Sequence, residues 1–168
     1  MEPLRLSKND KEIIGTLPER WLRMDLISQL AVLEVGKVLH QAGHLTSDTG
    51  KIRTDRHNAL IIASRYGSLA TDLEYAATLV DGIELASPAL FGYTLPNIAA
   101  AEAAGHYRIS GPVYALLDQE PLARAGQEAR RWQLHLGSTA LIVYGELDVI
   151  PSAEQAAITA SFHLLTTP

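Results

Sequence analysis

Residues 111–120 read GPVYALLDQE and run directly into Pro121. Gly111-Pro112 is a turn signal. Val113–Leu117 is a short apolar run of strand length. Pro121 suits a first helical position, where its missing N–H leaves nothing unpaired. A turn, a strand and a helix start thus follow one another within a few residues. Gly137 is the stop signal for that helix.

Working outward, Thr139–Leu147 (TALIVYGEL) predicts a second strand. Asp148–Pro151 and the residues up to Glu154 read as a turn region, and Ala157–Leu165 predicts a returning strand. Upstream, Ala59–Ser64 (ALIIAS) predicts a short buried strand. Gly67-Ser68 turns into a helix over Thr71–Val80, with Thr71 and Glu74 at capping-box spacing and Asp81-Gly82 as its end. Ser87-Pro88 is an N-cap with proline behind it. Pro96 divides a short turn from a helix through Ala104 that Gly105 closes. Nearer the start, Thr16 and Glu19 again have capping-box spacing, with Pro18 between. Apolar residues from Trp21 to Leu39 recur at helical steps up to Gly43. His44–His57 reads as a polar loop. Residues 1–15 read as an arm or short edge strand, and residues 16–168 as one domain. Strands alternating with helices, then two successive strands, predict a mixed α/β sheet ending in a β-hairpin.

Composition bounds the function. The chain has 168 residues, net charge −5 and 47% apolar residues, which suits one soluble domain with a sizeable core. The acidic balance argues against nucleic acid, whose binding needs clustered cations. No apolar run approaches the roughly 20 residues of a membrane helix, and the polar start MEPLRLSKNDK has no apolar signal-peptide core. A cytoplasmic protein with no membrane and no nucleic-acid partner is the expectation. There is no cysteine, so disulfides and thiolate metal sites are excluded.

Several segments, in order, resemble the N-terminal half of a β-ketoacyl synthase. LPERWLRMDLISQLAVLEVGKVLHQAG is similar to the arginine-methionine lead-in to that family's first long helix. ALIIASRYGSLATDLEY is similar to its following strand and glycine-serine turn. ASPALFGYTLPNIAAAEAAGHYRISGP is similar to its run of serine-proline, phenylalanine, threonine-leucine and asparagine before a Gly-Pro-Ser motif. GSTALIVYGELDVI is similar to the strand after the nucleophile helix. The resemblance spans roughly Leu17 to Ile150. It implies a thiolase-like fold of which this chain is long enough for one of two similar halves.

The departures bear on activity. The family's nucleophilic cysteine falls on Glu120, with Gln119 before it, and the serine of Gly-Pro-Ser is Val113. The family's C-terminal half supplies two histidines. Nothing after Ile150 resembles it, and His163 lacks the motif context. Decarboxylative Claisen condensation needs a thiolate that takes up the acyl group, activated at a helix N-terminus. It also needs donors for the enolate that forms on loss of carbon dioxide. The helix dipole favours a carboxylate at Glu120 by about 0.3–1 kcal/mol, but a carboxylate is a poor nucleophile towards thioesters. Chain-length factors, the family's inactive partner subunits, often carry glutamine here, which Gln119 matches only if the register slips by one. Glu120 is therefore either a first-turn residue ahead of Pro121 or a residual site group.

The helix behind Pro121 adds a second clue. Leu122, Ala125, Ala129, Trp132 and Leu136 form one apolar stripe. Arg124, Gln127, Glu128, Arg130, Arg131, Gln133 and His135 fill the rest. Full-length relatives bury this helix, and burying these charges unpaired would cost several kcal/mol, so a solvated face is expected. Arg124, Arg130 and Arg131 are the candidate patch for an acidic acyl carrier protein. The resemblance also implies that Val113, Tyr114, Ala115, Leu116 and Leu117 form a strand that pairs across a dimer, with itself or with a ketosynthase.

Other candidates are weaker. His40, His44 and Asp48 have a spacing a metal could use, but two histidines complementing a helix C-terminus is the preferred reading, and no metal or cofactor is expected. Gly67-Ser68 lacks the Walker lysine. Ser64, Ser68 and Ser87 have no histidine–acid partners that the sequence places. Tyr66, Tyr75, Phe91, Tyr93 and Tyr107 read as core aromatics. Three functions remain: a non-catalytic ketosynthase-like subunit of fatty-acid or polyketide synthesis, a residual acyl-thioester enzyme using Glu120 as base, or an acyl-carrier-protein binding module.

Overall fold

The structure is a computed structural model that describes residues 3–46, 50–52, 57–80, 82–152 and 156–165. Among these described residues four strands form one sheet in the order β2-β1-β3-β4: β1 (Asn58–Ser64), β2 (Val113–Leu117), β3 (Leu141–Ile150) and β4 (Ala157–Leu165). β1 lies parallel to β2 on one side and to β3 on the other. β4 returns antiparallel to β3, from Ile142 opposite Leu165 to Ile150 opposite Ala157. The mixed sheet, its helical cover and the terminal hairpin agree with the expected fold class.

Helices cover both faces. Leu60 and Ile62 of β1, with Leu141, Val143, Leu147 and Val149 of β3, point into the larger core under α2 (Leu26–Gln41) and α5 (Ile98–Tyr107). Ala59, Ile61, Ala63 and Ile142 point to the opposite face, under Ala125 and Ala129 of α6 (Pro121–Leu136). All seven residues of β1 are buried, as a strand covered on both faces requires. Each large side chain so buried stabilises the fold by about 1.5–3 kcal/mol before entropy is counted.

Two close approaches explain glycines in the motifs. A Cβ on Gly36 of α2 would overlap the hydroxyl of Tyr107. That hydroxyl crosses from α5 to donate to the Val32 carbonyl at 2.9 Å. A Cβ on Gly111 would overlap the carbonyl oxygen of Asn58. The Asn58 side-chain oxygen meanwhile accepts the N–H groups of Ser110 at 2.8 Å and Gly111 at 2.9 Å. The Gly-Pro turn is thus a docking contact between the start of β1 and the approach to β2.

The structure corrects several element expectations. Residues 8–14 are a helix, α1 (Lys8–Ile14), and not an edge strand. Ser7 and Asp10 form its capping box, and Ile13 and Ile14 are buried. The Thr16–Glu19 spacing starts no helix. A 3-10 turn covers Trp21–Arg23, and α2 begins after Asp25, whose carboxylate accepts from the Ser28 N–H at 3.0 Å and the Thr71 hydroxyl at 2.6 Å. α3 runs Leu69–Ala77, ahead of the Thr71 start. α5 continues through Gly105 to Tyr107 and ends at Arg108, held left-handed at φ 61°. β3 extends through Asp148 to Ile150, so Asp148 is a strand residue and not a turn residue. Ser87 caps α4 (Pro88–Phe91) as expected. Asp48, Arg53, Asp55 and Arg56 of the polar loop, Asp81 and Glu154 lie outside the described residues. Tyr93 and Tyr107 are core aromatics, whereas Tyr66 and Phe91 are exposed.

Candidate functional site

In a parallel sheet, ligands and catalytic groups collect beyond the carboxyl ends of the strands. Here that edge is organised by Asp148. Its buried carboxylate accepts from the Ser64 hydroxyl at 2.5 Å, from the Arg65 N–H at 3.0 and 3.1 Å, and from the Tyr66 N–H at 3.0 Å. The Ser64 oxygen in turn accepts from the N–H groups of Tyr66 and Gly67. Ser64 therefore has an acid partner that the sequence did not place. No histidine joins it, and the cluster's main bonds go to main chain: it is a clamp on the turn after β1. Arg65 extends the clamp, donating at 2.6 Å to the carbonyl of Gln119.

Glu120 stands beyond that edge, at the N-cap position of α6. Its side chain is exposed and makes no bond to the helix N–H groups. The turn is closed instead by Asp118, which accepts the Glu120 N–H at 2.9 Å. The structure brings Gln119 and Glu120 together with Arg65 and Asp118, on the surface.

α6 presents its expected stripe to the sheet, with Ala125 and Ala129 fully buried. Glu128 was read as a solvated charge, but it is buried. Arg131 reaches it at 2.9 Å, Arg124 at 3.1 Å, and the Tyr114 hydroxyl of β2 donates to it at 3.2 Å. The Trp132 indole N–H completes the chain by donating to the Tyr114 oxygen at 2.8 Å. Burial pushes the Glu128 carboxyl up. The Arg131 hydrogen bond and charge, with Tyr114 and Arg124, outweigh it and hold the carboxyl below its ordinary range. Burial likewise pushes the Tyr114 phenol up, against the Trp132 bond. Two of the three candidate arginines thus neutralise a carboxylate of their own helix. Arg130 sits on the exposed face.

β2 is an edge of the sheet. The bond from Leu60 N to the Pro112 carbonyl sets its phase. Tyr114 and Leu116 direct their main-chain groups to β1, so those of Val113, Ala115 and Leu117 face away. Leu117, 62% exposed, sits beside Gly67 and Pro96. Further exposed apolar side chains follow: Leu95 next to Pro96, Phe91 on α4, Leu73 on α3, and Val80, Ile83 and Leu85 between those helices.

Among the described residues no group of three His, Asp or Glu side chains stands close enough to hold a metal. His40 lies in the last turn of α2, and Asp48 is outside the described residues. No helix among them is long and apolar enough to cross a membrane. His163 stacks on Tyr144 across the β3–β4 ladder, 5.5 Å between ring centres.

No protein-family model matches the sequence, and no curated protein does. Among solved structures, the chain superposes on "The ishigamide ketosynthase/chain length factor" with a TM-score of 0.63, at 18% identity, over 82% of this chain. The fold is half of a thiolase-like fold. This chain spans 37% of the length of that one. At such identity the likeness is one of fold.

Sequence reasoning missed Asp148, the buried state of Glu128 and the capping role of Asp25. Asp25 carried a signal, since an Asp immediately before the first apolar residues of a helical run is an N-cap pattern. Asp148 carried none, because its partners lie about 80 positions away.

Proposed function

We propose that this chain is a non-catalytic ketosynthase-like subunit that acts by assembly, with a second copy of itself or with a condensing enzyme of fatty-acid or polyketide synthesis. The observation that carries this reading is the open edge of β2. It offers main-chain groups at Val113, Ala115 and Leu117, ends in an exposed leucine, and continues into exposed apolar surface. Unpaired apolar edges of this kind are templates for strand addition. Glu120 supports the non-catalytic half of the reading. It is a solvent-facing carboxylate with no side-chain bonds to the α6 N–H groups, which is not the setting of an activated nucleophile.

Ala115→Pro tests the assembly. It removes an outward N–H and leaves the β1 ladder intact. Light scattering at micromolar concentration is expected to give a dimer for the parent and a monomer for the variant, with both circular dichroism spectra alike. A monomeric parent that also fails to bind a purified condensing enzyme sinks the proposal. Condensation or decarboxylation of carrier-bound malonyl groups that is lost in Glu120→Ala sinks its non-catalytic half.

The arginines favour a second reading, a carrier-protein module. Arg130 and Arg131 are exposed on α6. That reading expects a complex with acyl carrier protein that salt dissolves and Arg130→Glu abolishes.

A further inference from the structure

A cleft of about 890 Å³ opens along the outer side of α5, away from β2 and Glu120. Its floor is the helix face made by Ile98, Ala101 and Gly105, spaced by three and four residues. Its facing wall is the segment between α1 and the 3-10 turn, residues 16–20. The volume is in the range of small-molecule sites.

The two ends of the cleft differ in charge. At one end Glu102 is satisfied: Arg20 reaches it at 3.0 Å and the Tyr93 hydroxyl donates to it at 3.1 Å. At the other end Lys51 meets no carboxylate among the described residues. Its ammonium donates to Nδ1 of His106 at 3.3 Å. With the ring's Nε2–H given to the Ile14 carbonyl at 3.0 Å, Nδ1 is the nitrogen left to accept from that ammonium. Burial, and then the nearby Arg108 charge, push the Lys51 pKa down. Lys51 and Arg108 thus line the same cleft close enough to repel each other, and neither forms an ion pair with a carboxylate among the described residues. The main chain enforces the arrangement: Ile52 N–H bonds the Tyr107 carbonyl, which sets Lys51 beside Arg108. Arg108 itself holds a left-handed backbone that non-glycine residues rarely take. The whole cleft is lined by four cations and two carboxylates, on a chain of net charge −5.

We propose that this cleft binds a small amphipathic anion, its carboxylate or phosphate head held by Lys51 and Arg108 and its apolar body lying along Ile98, Ala101 and Gly105. The anion supplies a countercharge to Lys51 and Arg108, which pair with no carboxylate among the described residues. Ile98 to Gly105 gives the body about 10 Å of helix face. The site is independent of β2 and of the assembly reading.

Octanoate and octyl phosphate are the probes, titrated calorimetrically at low salt against the full chain. Acetate and inorganic phosphate serve as head-only controls. One saturable site is expected, with the tighter of the two octyl probes naming the head group. The paired variant Lys51→Gln with Arg108→Gly is expected to weaken it by about tenfold or more. Glycine at 108 relieves the backbone, so that variant keeps its fold. Gly105→Leu is the second variant. A side chain there enters open space, so thermal stability is expected to hold or rise while binding is lost. No saturation by either octyl probe up to about 5 mM, unchanged affinity in both variants, or acetate binding as tightly as octanoate would each overturn the proposal.

Discussion

Single side chains decide three measurable properties. Gly111→Ala sets a Cβ against the Asn58 carbonyl. The turn must shift, and a loss of about 1–3 kcal/mol is expected from urea denaturation. Asp148→Asn keeps the shape of the clamp but loses its charge and turns an acceptor into a donor facing main-chain N–H groups. It should cost about 1.5–3 kcal/mol. His106 gives a pH signature. Burial first, and then Lys51, push its pKa down despite the bond to the Ile14 carbonyl. The unfolded chain then takes up a proton near the ordinary histidine value of 6.5 while the folded chain does not. Stability should therefore fall as pH drops from 7 through 6.5 towards the lowered value. His106→Gln should flatten that slope in thermal melts across pH 7 to 5.

At the scale of elements, α6 and β2 are joined through the Trp132–Tyr114–Glu128 chain of hydrogen bonds. Because the Glu128 carboxyl is held below its ordinary 4.5, its contribution is present above that pH and fades as pH falls through the lowered value. Glu128→Gln should lower the melting temperature at neutral pH and lose less than the parent on acidification, with Trp132 fluorescence reporting the loosened helix. Strand and helix positions were largely legible because their signals are local. VYALL, ALIIAS and the Ala125–Ala129 stripe each carry their own pattern. Helix ends were less legible. Thr16 and Thr71 had capping spacing, yet Asp25 and Ser68 hold the N-cap positions, and Thr71 spends its hydroxyl on Asp25. Gly105 looked like a stop, but packing of the turn beyond it, with Tyr107 fully buried, carries α5 onward. The Glu120 position was legible only through family resemblance, and its exposure only from the structure.

Across the molecule, stability is unevenly distributed. Both faces of β1 are covered, while the segment between α3 and α4 sits on the outside and exposes Val80 at 83% and Ile83 at 79%. Hydrogen exchange should be slowest in β1 and the paired part of β3. It should be much faster from Leu69 to Phe91, and a partner that covers this surface should slow it there. One consequence of the covered strand remains. A strand apolar on both faces has no alternation to tell one alignment from the next, since slipping it by a residue still buries apolar side chains. What distinguishes the native alignment of NALIIAS is its two polar ends: Asn58 accepts from the N–H groups of Ser110 and Gly111, and the Ser64 hydroxyl donates to Asp148. Those two side chains act as the index marks of the sheet. Replacing both with alanine should leave burial almost unchanged and yet yield a mixture of alignments, visible as doubled amide resonances for β1.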